Sequence, residues 1–223
     1  MSIPRRVSAP APPANLPGWP ALELIAGAAA AALGLGVLMG CRGPVTTFTP
    51  EKRGGTSAVT LENQSCDPLG SLTNRALVLV FLSVECPICN RYVPELLRLA
   101  SLFTPQGIEF RLVYPNADES PEEIRRYLGE FQLAALAERV LLDPKHVLVA
   151  KSGARVTPEV AVFLPGNRLV YRGRIDDRFP ALGLDRREPT RRDLEMVLNA
   201  MLHFQPLLTA GEPAVGCSIP SLH

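Results

Sequence analysis

The chain predicts an α/β fold, a central mixed β-sheet with helices on both faces, and three observations carry that expectation. Strand-like and helix-like stretches alternate from residue 58 onward in the order β-α-β-α-β-α-β-β-α. Residues 77–82 form a continuous apolar run rich in branched side chains, which suits a strand buried on both faces. Residues 160–164 and 169–175 are joined by Pro165-Gly166-Asn167, turn formers that close an antiparallel hairpin.

Taken in order, residues 58–61 read as a short edge strand, followed by a turn through Asn63, Asp67-Pro68 and Gly70. The helix after the first long strand runs from Pro87 to about Phe103. It brings Ile88, Tyr92, Leu96, Leu99 and Phe103 to one face at three- and four-residue spacing. Pro94 lies inside it and should kink it. Gly107 ends it, and residues 108–114 alternate as a second strand. Ser120-Pro121-Glu122-Glu123 is a capping-box start with proline in the first helical position, opening a helix to about Phe131. Residues 134–139 add a further turn. Residues 140–143 read as a short strand, and 144–151 as a helix ended by Gly153. After the hairpin, Thr190-Arg191-Arg192-Asp193 caps a final amphipathic helix with Leu194, Val197, Leu198, Met201 and Leu202 inward.

Composition is ordinary for a globular protein, 47% hydrophobic and 20% charged over 223 residues. A net charge of +1 and the lack of any recognition motif give no footprint for nucleic acid. Six of the 22 prolines fall in the first 20 residues, which sets that head apart from the folded part. Arg5 and Arg6 precede residues 24–40, a charge-free apolar run that ends in Leu38-Met39-Gly40-Cys41. This is the build of a secretory signal. The Leu-x-Gly-Cys ending also resembles the lipobox of bacterial lipoproteins, in which the cysteine, here Cys41, is lipidated and becomes the mature N-terminus. An uncleaved membrane anchor and a buried core helix are the alternatives, because the run is near the ~17–25 residues that span a bilayer. The first two readings place the domain outside the cytoplasm at a membrane surface, in a bacterial periplasm or on the cell surface. The organisation expected is thus residues 1–41 as signal or anchor, 42–57 as a flexible tether, and 58–219 as the folded domain.

Chemistry concentrates in the cysteines. Cys86 and Cys89 stand three apart where the first long strand gives way to the helix, so their sulfurs fall on one side of a turn. A thiol there meets unpaired N–H groups and the positive end of the helix dipole, which lowers its pKa and favours the nucleophilic thiolate. Cys66 and Cys217 lie near the two ends of the folded part. A structural Cys66–Cys217 disulfide, free buried thiols, or a third redox partner for the pair are all open. A single CxxC is also half a zinc site, which Cys66 and Cys217 would have to complete. Asn90 stands where a c-type haem would need histidine, and His146 and His203 have no neighbours at ligand spacing.

The element order with CxxC after the first long strand resembles the thioredoxin fold, and the likeness covers roughly residues 58–219. Pro94 lies five residues after Cys89, where thioredoxin-like proteins carry a kinking proline. Val156-Thr157-Pro158 precedes the hairpin, where that fold has a cis-proline against the active-site cysteines. VFLSVECPICNRYVPEL, VTPEV, YRGRIDD (residues 171–177) and the closing Gly216-Cys217-Ser218-Ile219 resemble a bacterial redoxin subgroup. The resemblance implies a thiol–disulfide oxidoreductase. Cys86 attacks a partner disulfide and Cys89 resolves the mixed disulfide, leaving a Cys86–Cys89 disulfide. Pro87, Thr157, Pro158 and Pro94 support the site, and the strand before Pro158 pairs with the substrate backbone. It implies protein disulfide or dithiol partners and an extracytoplasmic or membrane electron donor or acceptor, and no cofactor or metal. The sequence departs from thioredoxins in having Glu85 where tryptophan often precedes the first cysteine. Its dipeptide is Pro-Ile, nearer glutaredoxins and oxidising periplasmic enzymes. It lacks an evident counterpart of their buried relay carboxylate; Glu85 and Glu95 are candidate substitutes, though both read more simply as surface charges. The rival enzyme is a peroxidase of the peroxiredoxin type, for which Ser83-Val84-Glu85-Cys86 supplies half a motif and Arg155 the needed arginine. The rival non-enzyme is a metal-binding or structural thioredoxin-like domain.

Overall fold

The computed structural model describes residues 58–70, 72–207 and 211–222. The signal or anchor and the tether expected over residues 1–57, Cys41 included, lie outside the described residues. Among the described residues no helix is long and apolar enough to cross a membrane.

Five strands precede the cis-proline region: β1 (Ala58–Val59), β2 (Ser65–Cys66), β3 (Ala76–Phe81), β4 (Ile108–Tyr114) and β5 (Val140–Leu142). Four follow: β6 (Val156–Thr157), β7 (Glu159–Leu164), β8 (Arg168–Gly173) and β9 (Cys217–Ser218). The helices are α1 (Pro87–Phe103), α2 (Pro121–Glu130), α3 (Val147–Ser152) and α4 (Asp193–Leu202). Seven strands form one sheet in the order β2-β1-β5-β4-β3-β7-β8, with β3 parallel to β4 and antiparallel to β7. β6 and β9 make a separate two-stranded ladder. The mixed sheet is therefore as expected, except that β1 is not its edge: β2 pairs outside it.

Every residue of β3 is buried, and its alternation divides the core. Val78 and Val80 face a layer built with α1, α2 and α4, while Leu77, Leu79 and Phe81 face α3. Helices thus cover both faces, and the run of branched residues in β3 follows from having two apolar neighbours and no wet side.

The helix starts follow local chemistry. Pro87 occupies the first helical position of α1, where its missing N–H is not needed. Pro94 lies within the helix, which continues to Phe103. The capping box of α2 forms as predicted, with the Glu123 N–H donating to Ser120 Oγ at 3.3 Å and the Ser120 N–H to Glu123 Oε2 at 2.9 Å. α3 begins later than the sequence suggests, because the buried Asp143 carboxylate takes over its first turn. That carboxylate accepts the N–H groups of Val147, Leu148 and Val149 at 2.7, 2.9 and 2.9 Å. Thr190 does not cap α4; its hydroxyl and N–H both go to Asp177 instead.

That last contact belongs to a fastening built from residues 171–177. Tyr171 donates its hydroxyl to the Arg174 carbonyl at 2.7 Å, and the Arg174 guanidinium meets Asp193 at 2.8 Å. Tyr92 of α1 donates to Asp176 Oδ1 at 2.6 Å. The end of β8 is thereby tied to both α1 and α4. Tyr92→Phe leaves the buried Asp176 carboxylate without this donor, and we expect a loss of about 1–3 kcal/mol in urea denaturation, with the fold retained.

Candidate active site

The site is assembled where β3 ends. Leu82 continues the ladder through its N–H to Val113 O at 2.8 Å, and the chain then turns through residues 83–86 into α1. Glu119, from the loop between β4 and α2, grips that turn. Its Oε1 accepts the Ser83 hydroxyl at 2.6 Å and the Val84 N–H at 3.0 Å, while Oε2 is buried without a partner. Burial pushes its carboxyl above the usual carboxylate range, against the pull of those two hydrogen bonds.

Cys86 caps α1 in an extended conformation (φ −84°, ψ 108°), with Cys89 one turn on. Both carry free thiols, both are buried, and they approach to 3.3 Å. Facing them is the turn between β6 and β7, where the Thr157–Pro158 peptide is cis. As a thiol, Cys86 donates to the Thr157 carbonyl at 3.1 Å. Thr157 therefore meets the cysteine pair, Pro158 follows it across the cis peptide, Pro87 opens α1 between the two cysteines, and Pro94 lies further along α1.

A third sulfur completes the group. β9 pairs antiparallel with β6, placing Cys217 opposite Thr157 and its side chain beside Cys86. The Cys86 thiolate receives hydrogen bonds first from Cys89 and then from Cys217, which outweigh the cost of burial and lower its pKa to about 5. Cys89 moves the other way, raised first by burial and then by its role as donor to Cys86. Cys217 is raised to about 11, again by burial first and the Cys86 charge second. These shifts favour a thiolate at Cys86 and thiols at Cys89 and Cys217.

The way in is a cleft of about 200 Å³ with Cys86 and Cys217 on its walls, together with Glu85, Asn116 and Thr157. Larger hollows of about 410 and 650 Å³ lie against α4 and hold none of the cysteines. Arg155 is not among the cleft's walls; its carbonyl accepts the N–H of Ile219 at 3.0 Å.

Several expectations change here. Cys66 and Cys217 are free thiols packed against different core clusters on the two faces of the sheet, so the Cys66–Cys217 disulfide is not made. The strand before Pro158 is already paired, with the chain's own β9, and not left open for a substrate backbone. Glu95 is held in ion pairs with Arg98 at 2.7 Å and Arg192 at 2.8 Å, far from a proton-relay role. Glu119 is the buried carboxylate of the site, and sequence reasoning missed it because Asn116-Ala117-Asp118-Glu119 reads as a polar loop. Among the described residues no three His, Cys, Asp or Glu side chains are grouped to hold a metal ion.

No family model matches the chain, and no curated protein does. Solved structures do. An uncharacterized conserved protein from Geobacillus kaustophilus is 23% identical, with a TM-score of 0.62 over 74% of this chain and 88% of its own. A hypothetical protein from Sinorhizobium meliloti is 25% identical, with a TM-score of 0.60 over 73% of this chain and 88% of its own. An exposed lipoprotein thioredoxin from Streptococcus pneumoniae is 16% identical, with a TM-score of 0.47 over 66% and 97% of the two chains. By its strand order, its cis-proline turn and its paired cysteines at the start of α1, the chain has the thioredoxin fold.

Proposed function

We propose that this protein is a thiol–disulfide oxidoreductase acting on partner proteins outside the cytoplasm. The observation that carries the reading is the pair of free cysteines at the start of α1, Cys86 and Cys89, 3.3 Å apart, a placement that lowers the pKa of Cys86 to about 5 and raises that of Cys89. The Cys86 thiolate attacks one sulfur of a partner disulfide, the partner's S–S bond breaks, and its second sulfur leaves as a thiolate. Cys89 then gives up its proton and attacks Cys86, releasing the partner's first sulfur and leaving a Cys86–Cys89 disulfide. Two electrons pass from the dithiol to the partner, and the sequence runs backwards when the partner is the dithiol. The charge-free run ending in Leu38-Met39-Gly40-Cys41 supports an extracytoplasmic location. In that location an electron donor or acceptor at the membrane has to reset the pair.

Cys86→Ser should abolish turnover of a disulfide substrate such as insulin; full activity in that variant would refute the reading. The thiolate ultraviolet absorbance of the reduced protein should fall as pH drops through about 5, and disulfide attack with it. Cys89→Ala removes the strongest donor to that thiolate, so the midpoint should move upward. Stabilising the thiolate also stabilises the reduced protein over the disulfide. The reduction potential of the pair should therefore be less negative than the ~−270 mV of thioredoxin, measured by equilibration against glutathione.

A further inference from the structure

We infer that Cys217 is a second resolving thiol of this site, borne on a segment of the chain that lies where a partner's strand would pair. This rests on the reading of Cys86 as the attacking thiolate. Residues 211–219 form a strap laid against the open side of the fold. Gly211 N–H donates to Arg172 O at 3.2 Å, Arg174 N–H to Glu212 O at 3.1 Å, and Ile219 N–H to Arg155 O at 3.0 Å. Between these ties, β9 uses the hydrogen-bonding edge of β6, with Val156 opposite Ser218 and Thr157 opposite Cys217. The fit is close: a Cβ at Gly216 would stand 2.1 Å from the Thr157 carbonyl oxygen, a contact no side chain tolerates. That same oxygen is the acceptor of the Cys86 thiol. A cysteine at 217 is thus delivered to the nucleophile by backbone register, one residue after a glycine that lets the strap seat.

The consequence is chemical. Burial is the first cause that raises Cys217 and Cys89, and the hydrogen bond to Cys86 and its Coulombic repulsion add to it. When Cys86 is in a mixed disulfide with a partner its charge is gone, and those two added causes go with it. Both become easier to ionise at the moment a resolving thiolate is needed. Cys217 ionises, its thiolate attacks Cys86 Sγ, the bond between Cys86 and the partner sulfur breaks, and the partner sulfur leaves as a thiolate that takes a proton. The products are a Cys86–Cys217 disulfide and a reduced partner. Cys89 converts this species to Cys86–Cys89 by the same exchange, returning Cys217 to the thiol, so no further oxidant enters. The partner reaches Cys86 through the cleft shared by Cys86 and Cys217, without pairing along β6.

The test uses the full-length protein with oxidised glutathione as the probe disulfide. Trypsin leaves Cys86 in peptide 76–91 and Cys217 in peptide 193–223, with no other cysteine in the second. Reduced Cys89→Ser protein should yield these two peptides joined by a disulfide, and its glutathione adduct at Cys86 should be transient. Cys89→Ser/Cys217→Ser should accumulate a stable adduct on Cys86, decaying about tenfold or more slowly, since a tethered thiol acts at high effective concentration. An adduct equally stable in both variants overturns the role of Cys217 and leaves Cys86 as nucleophile. So does a bridge from Cys86 to Cys66 or Cys41 in place of Cys217. Failure of Cys86 to form an adduct in either variant overturns the proposed function and this inference together.

Discussion

The carbonyl of Thr157 is the point through which the site is built. It lies just before the cis peptide to Pro158, stands 3.1 Å from Cys86 Sγ, and leaves no room for a side chain at Gly216. Three stretches distant in sequence meet there: the start of α1, the β6–β7 turn and β9. Each is anchored independently, α1 by the buried face that includes Tyr92 and Leu96, the turn by β7 beside β3, and β9 by the strap around it. Since no one of these contacts can shift without the others, the sulfur positions are properties of the fold and not of the loop that carries the cysteines.

Charge at the site follows from that placement. A helix N-terminus is worth about 0.3–1 kcal/mol to an anion, up to about 2 in partly buried geometries. At Cys86 the hydrogen bonds received from the two neighbouring thiols act beside that helix dipole, and its pKa is lowered to about 5. Those hydrogen bonds lower Cys86 against its own burial, whereas Cys89 and Cys217 are raised first by burial and then by donating to Cys86. Cys86 and Cys217 are close enough that their titrations are linked. Loss of the Cys86 charge on forming a disulfide changes the proton affinity of whichever thiols remain.

The sequence made the scaffold plain because its signals are local. Alternating strand and helix periods, the Ser120–Glu123 box, the proline at position 87 and the turn at 165–167 each act within a few residues, and each appears in the structure near the expected place. The CxxC and Thr157-Pro158 were legible for the same reason. What escaped was long-range. β9 is two residues long and has no period to detect, and its partner lies sixty residues earlier, as the Thr157 Oγ1 contact with Cys217 O shows. Nothing in the spacing of Cys66 and Cys217 says that they pack on opposite sides of the sheet. Glu119 reads as part of a wet loop, and only the fold reveals that it is 8% exposed and holds the turn before Cys86. Asp143 is a similar case, a loop residue in the sequence and the cap of α3 in the structure.

Covering β6 with β9 also resolves a conflict inherent in the architecture. A strand edge beside a reactive cysteine offers unpaired N–H and C=O groups to any extended chain, which invites unselective pairing. Here the edge is satisfied within the molecule, and the approach to Cys86 is a cleft of about 200 Å³ walled partly by the strap itself. Gly216 lets β9 seat against the Thr157 carbonyl, and Cys217, the next residue, is thereby set beside Cys86.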